Sequence, residues 1–115
     1  MGTGIAKKFD KESINDILQE LKSALIGIYG SRFKKLILYG SFARNDAGPD
    51  SDIDVMVVLG DIASPAREID AMLDVVTDLN LKYNVLISVY PVSEYSLRTV
   101  KSPLILSVSR EGINI

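Results

Sequence analysis

The chain has 115 residues with no cysteine and no histidine, which removes disulfides, thiol nucleophiles, histidine general bases and the usual zinc sites together. A hydrophobic share of 47% and a charged share of 24% are those of an ordinary globular chain, and this length supports one domain with no second lobe. A net charge of −2 with a pI near 5.0 argues against nucleic acid as a partner, which a basic face would have to hold.

Residues 1–9, with two glycines and two lysines, read as a loose terminus ahead of a single domain over residues 10–115. They lack the apolar core of a signal peptide, and no apolar stretch approaches membrane-spanning length, so a cytoplasmic location is expected. Asp10 is a suitable N-cap, Phe9 with Ile14 fits a hydrophobic staple, and Ile14, Ile17, Leu18, Leu21, Leu25 and Ile28 recur at helical spacing until Gly30. A strand is expected over 35–39, a short helical piece over 41–45, a turn-rich loop over 46–51, and a second, almost wholly apolar strand over 52–59. Ser64 and Pro65 open a second long helix to about Lys82, with Ile69, Met72, Leu73, Val76 and Leu79 as its buried stripe and Glu68, Asp70, Asp74 and Asp78 on the solvated face. A third strand is expected over 85–90, closed by Pro91. Ser93 and Ser102-Pro103 then start two further helices, and Ile113-Asn114-Ile115 reads as a short edge strand. That order predicts an α/β (α+β) domain: a small mixed sheet, helices mainly on one face, and the other face open as a cleft.

The chemistry sits between the first two strands. Asp52 and Asp54 are two residues apart at the mouth of an apolar strand, so alternation points them to one face, where they repel each other and lose solvation. Such a pair calls for a cation, and hard oxygen donors with no nitrogen or sulfur nearby suit Mg²⁺, with Mn²⁺ as its substitute. Gly40-Ser41 turns the chain from strand to helix. The glycine permits close backbone approach, and the N–H groups and Ser41 hydroxyl supply donors to phosphate. Singly, each part has a plainer meaning: Gly40-Ser41 a capped turn, Ser51 a loop residue, Arg44 a solvated surface cation. Asp54 alone lies too deep in an apolar strand for that. At this spacing the parts together read as a Mg-nucleotide site.

The string Gly40-Ser41, ten residues, Asp52-Ile53-Asp54 resembles the signature of the DNA polymerase β-type nucleotidyltransferase superfamily, and the short chain resembles its minimal nucleotidyltransferase (MNT) class, often paired with a HEPN-domain protein. The resemblance implies the polymerase β-like nucleotidyltransferase fold, ATP and Mg²⁺ as ligands, Asp52 and Asp54 as catalytic and metal-holding residues, and Gly40, Ser41, Arg44 and Ser51 at the nucleotide. It also implies a HEPN-type toxin as acceptor or partner, with this chain as its antitoxin. Superfamily enzymes usually carry a third carboxylate on the next strand. Here 84–90 contains none: Ser88 holds the matching position and Asn84 is the other polar residue, at the strand mouth.

Three readings stay open at this stage. The chain transfers a nucleotide with water, Asn84, Ser88 or a partner's carboxylate filling the gap; it binds NTP and Mg²⁺ without turnover and regulates a HEPN partner by contact; or a third ligand comes from elsewhere, Glu94 and Asp50 being nearest in sequence. Self-association as a homodimer is compatible with so small a domain but nothing in the sequence requires it.

Overall fold

The computed structural model describes residues 11–115, side chains from Ile14 onward. The loose terminus, the Asp10 cap and the Phe9 staple lie outside the described residues. Helix α1 (Lys11–Tyr29) runs through a 3₁₀ turn (Gly30–Arg32) into β1 (Phe33–Tyr39), followed by α2 (Ser41–Arg44), β2 (Ile53–Leu59), α3 (Pro65–Tyr83), β3 (Ile87–Ser93), α4 (Glu94–Thr99), α5 (Pro103–Glu111) and β4 (Ile113–Asn114). The strands form one mixed sheet in the order β3-β2-β1-β4, with β2 antiparallel to β1 and parallel to β3. None of the described helices is long and apolar enough to cross a membrane.

The two faces of the sheet follow from strand alternation. Leu36, Leu38, Ile53, Val55 and Val57 point one way and are buried beneath the two long helices, which contribute Ile17, Leu21, Leu25, Met72 and Leu79. Ile37, Met56, Val58 and Val92 point the other way and pack against Ile105 and Val108 of α5. The long helices share one face, as expected. The opposite face is covered at one end by the short C-terminal helices and left open at the other, where β1 ends and β2 begins.

Four local expectations are corrected. The buried stripe of α3 is rotated: Ile69 and Leu73 are 41% and 54% exposed, while Glu68 is only 8% exposed. Glu68 is drawn in because Arg32 donates to its carboxylate at 2.8 Å, and a buried carboxylate requires such a partner. Likewise Tyr29, with its hydroxyl donating to the Glu68 carbonyl, takes the buried position expected of Ile28, which is exposed. The third strand runs 87–93 and passes through Pro91. It is an edge strand, and the parallel register places the Pro91 nitrogen on the side away from β2, where a missing N–H breaks no ladder bond. Asn84 is the left-handed C-cap of α3 (φ 52°) rather than part of β3.

The serine caps behave unevenly. Ser93 and Ser102 accept from the Ser96 and Ile105 N–H groups at 3.0 and 3.2 Å, whereas the Ser64 side chain makes no capping bond and Pro65 alone marks the start of α3.

Candidate active site

The turn from β1 to α2 and the start of β2 meet at the open end of the sheet. Tyr39 and Asp54 are direct partners across the antiparallel pair, so Gly40 follows immediately beside the Asp54 carboxylate. Gly40 has φ 76° and ψ −155°, a region that is essentially glycine-only, and a Cβ there would fall 2.5 Å from Asp54 Oδ2. Both the backbone conformation and the space therefore demand glycine. The chain turns tightly because the carboxylate already occupies the room a side chain would need.

Asp54 is half-buried, and Asp52, one residue ahead of β2, is exposed. Burial pushes the Asp54 carboxyl up from its ordinary range; the neighbouring Asp52 charge adds to this, and the Arg44 guanidinium pulls the other way. The Tyr39 phenol is also raised, first by burial and then by the charges of Asp54 and Tyr90. Tyr39 and Tyr90 thus flank the carboxylate face from the strands on either side. Alternation along the strands would have placed both there.

Ser88 stands directly across from Asp54 in the parallel β2–β3 ladder and is exposed. Ser88 thus presents a hydroxyl on the same face of the sheet as the Asp54 carboxylate. Asn84 does not share this face, being the cap of α3. Glu94 lies beyond Ser93, which pairs with Leu59 at the far end of the ladder. Five residues of strand separate it from Ser88, a span of roughly 20 Å. Asp50 stays in the exposed loop before Asp52. Among the described residues no three Asp, Glu, His or Cys side chains come together as one metal site.

The remaining candidates are held in different ways. Arg44 is ion-paired with Asp46 at 3.2 Å and with Glu111 of α5 at 3.1 Å. These bonds raise its already high pKa. Glu111 had no signal in the sequence, since it is brought across from the last helix. Ser51 closes its own loop: its hydroxyl accepts from the Gly48 N–H at 2.9 Å while its N–H donates to the Gly48 carbonyl at 3.1 Å. It therefore shapes the approach to Asp52. The hydroxyls of Ser41 and Ser88 make no hydrogen bond among the described residues, leaving both able to donate to a ligand.

The donor set fits a hard divalent cation. Two carboxylates, one of them partly desolvated beside the other's charge, gain most from a cation that takes oxygen ligands and completes its shell with water and phosphate. Asp52 and Asp54 would hold it.

Residues 11–102 match the sequence model of the nucleotidyltransferase domain. The chain belongs to this family. Two curated members of Methanocaldococcus jannaschii are similar to this nucleotidyltransferase. The "Putative protein adenylyltransferase MJ0604" is 42% identical over 77 residues, covering 67% of this chain and 71% of its own length. Its namesake MJ0141 is 28% identical over 104 residues, covering 89% and 98%. Among solved structures, a toxin-antitoxin crystallised with AMP-PNP superposes with a TM-score of 0.58 at 18% identity, over 82% of this chain and 68% of that one. A mutant of the MntA-HpeT toxin-antitoxin gives 0.56 at 17%, over 87% and 69%. At such identities these two structures establish the nucleotidyltransferase fold.

Proposed function

We propose that this nucleotidyltransferase moves AMP from ATP to a hydroxyl on a partner protein in the cytoplasm, that Asp52 and Asp54 hold Mg²⁺ (or Mn²⁺) for this purpose, and that a HEPN-type toxin is the partner, with this chain as antitoxin. The observation that carries the reading is the contact of Gly40 with Asp54: a strained, side-chain-free turn packed against a half-buried carboxylate that another carboxylate already crowds. Neither feature stabilises the empty fold, and local strain of this kind gathers at functional sites. Protein adenylyltransferase names among the relatives support the transfer of AMP to protein. The toxin-antitoxin titles, one of them with AMP-PNP, support the nucleotide and the kind of partner.

In the reaction the acceptor oxygen bonds to the α-phosphorus, the bond to the β-phosphate oxygen breaks, pyrophosphate leaves, and the hydroxyl proton passes to solvent. The cation, when bound, neutralises the triphosphate and the charge developing on pyrophosphate. Gly40 lets the backbone approach the phosphates and Ser41 donates its hydroxyl to them. Arg44 exchanges Asp46 and Glu111 for a phosphate oxygen. Its ion pairs are exposed and screened by solvent, so the exchange costs little.

Ser88 favours one other reading: with no third acid beside Asp54, the site binds nucleotide and cation without turnover and regulates the partner by contact. One experiment separates the two. The chain is incubated with ATP, Mg²⁺ and a HEPN-type protein, and pyrophosphate release and the intact mass of the partner are followed. Transfer predicts an AMP adduct on the partner that is lost with Asp54→Asn. An inhibited partner without adduct or pyrophosphate leaves the binding module as the function.

A further inference from the structure

At the open end of the sheet the order of the strands is also an order of chemistry. Gly40 and Ser41 follow β1, Asp52 and Asp54 open β2, and β3 lies beyond them at the edge. The Ile53 N–H donates to the Leu86 carbonyl at 2.8 Å, so the parallel register extends back by one residue and sets Leu86 beside Asp52. Ser88 stands beside Asp54 and Tyr90 beside Met56. Leu86, Ser88 and Tyr90 alternate along the strand and therefore share the carboxylate face. Leu86 and Tyr90 are 56% and 46% exposed there.

The two sides of the carboxylate pair differ in character. Toward β1 lie the Gly40-Ser41 turn and the charges of Arg44, Asp46 and Glu111, joined in ion pairs. Toward β3 there is no charged side chain from Asn84 to Ser93. Phosphoryl transfer fixes what can use that uncharged side, because the attacking and leaving oxygens lie roughly in line through the phosphorus. With the triphosphate at Gly40 and Ser41 and its α-phosphorus over Asp52 and Asp54, pyrophosphate leaves toward β1. Attack then comes from over β3. Neighbouring strands are about 4.8 Å apart, so Gly40 and Ser88 flank the carboxylates at roughly 10 Å from each other. A hydroxyl about 3 Å from the phosphorus fits within that span.

We infer that the Leu86, Ser88 and Tyr90 row receives the acceptor, a hydroxyl-bearing residue of a protein whose flanking residues are apolar and uncharged. The inference rests on the proposed AMP transfer and assigns its acceptor side. Ser88 hydrogen-bonds the attacking hydroxyl, while Leu86 and Tyr90 pack against the residues on either side of it. A charged flanking residue would lose water against Leu86 and Tyr90 and gain no partner, so the row discriminates against it.

The test uses the ¹⁵N-labelled chain saturated with Mg²⁺ and α,β-methylene-ATP, whose α–β bridge does not break, so that seating is read apart from turnover. Three short peptides carry the same central serine, flanked by leucine, glutamate or lysine. The leucine peptide is expected to shift the amide signals of 86–90 and to bind roughly tenfold tighter than either charged peptide. Leu86→Ser and Tyr90→Ala are each expected to weaken it several-fold, while calorimetry shows their affinity for the nucleotide analogue unchanged. Thermal unfolding checks that both variants fold, and Leu86→Ser, at the more exposed position, suffices alone. Equal affinity for the three peptides, or signal shifts that leave out 86–90, overturns the inference. So does a loss of analogue affinity that matches the loss of peptide affinity, since β3 would then serve the nucleotide. An analogue that fails to bind the wild-type chain overturns the proposed function, and this inference with it.

Discussion

Ser88 faces Asp54 across the parallel β2–β3 ladder, with the hydroxyl of one and the carboxylate of the other on the open end of the sheet. Under the proposed function, position 88 is where an added acid would join Asp52 and Asp54. Ser88→Asp is expected to raise pyrophosphate release roughly tenfold, about 1.4 kcal/mol of transition-state stabilisation. Without divalent cation the same variant should unfold at a lower temperature than wild type, because a third like charge then meets no counterion. Parallel rate and melting measurements check both halves; a variant no faster than wild type in saturating Mg²⁺ contradicts the assignment of this position.

Gly40→Ala should be costly and Gly48→Ala should not. At Gly40 the backbone is in a glycine-only region and the new methyl meets Asp54 Oδ2, whereas nothing lies within 4 Å of a Cβ on Gly48. The first substitution is expected to cost about 2 kcal/mol and to lower the melting temperature by roughly 8–15 °C. Nucleotide binding should fall with it, since Asp54 must move. Thermal scans of the two variants side by side give the answer.

Arg44→Ala should weaken ATP binding about tenfold, the loss of one charge-assisted contact. Glu111→Gln, which releases Arg44 from the last helix, should tighten it a few-fold. Neither should move the melting temperature by more than a few degrees, as exposed ion pairs contribute little. Calorimetric titration of both variants checks the opposite signs.

The raised Asp54 carboxyl sets the sign of a pH effect. Its pKa is higher in the folded state than in the unfolded chain, so the folded state holds more protons in that window and stability without cation declines as pH rises through it. Asp54→Asn removes the decline and is expected to stabilise the cation-free protein at neutral pH by about 0.5 kcal/mol. Cation affinity has the opposite slope, weakening as pH falls through the Asp54 pKa, because proton and cation compete. Melting curves from pH 4 to 8 with and without Mg²⁺ separate the two trends.

Much of this was legible in the residues. A glycine-serine turn after an apolar strand, and two acids two residues apart at the start of another, point to a site at adjacent strand ends, and the resemblance to the superfamily pattern singled out Ser88 on the next strand. What was hidden depends on tertiary partners. The phase of α3 turns on Glu68 meeting Arg32, which no local pattern encodes, so Ile69 and Leu73 read as core and are exposed. Pro91 reads as a strand end until β3 is known to be an edge. Asn84 is polar and close in sequence, but its left-handed backbone serves the helix end. Arg44 is tied to Glu111, 67 residues away, a contact only the fold can make.

The central claim is that Asp54, pressed against Gly40, holds a nucleotide through a divalent cation. Calorimetry with ATP, with and without Mg²⁺, on wild type and Asp54→Asn tests it most directly. The account predicts binding that needs Mg²⁺ and disappears in the variant, while the variant melts at or above the wild-type temperature. ATP binding that is indifferent to Mg²⁺, or unchanged in Asp54→Asn, would contradict it.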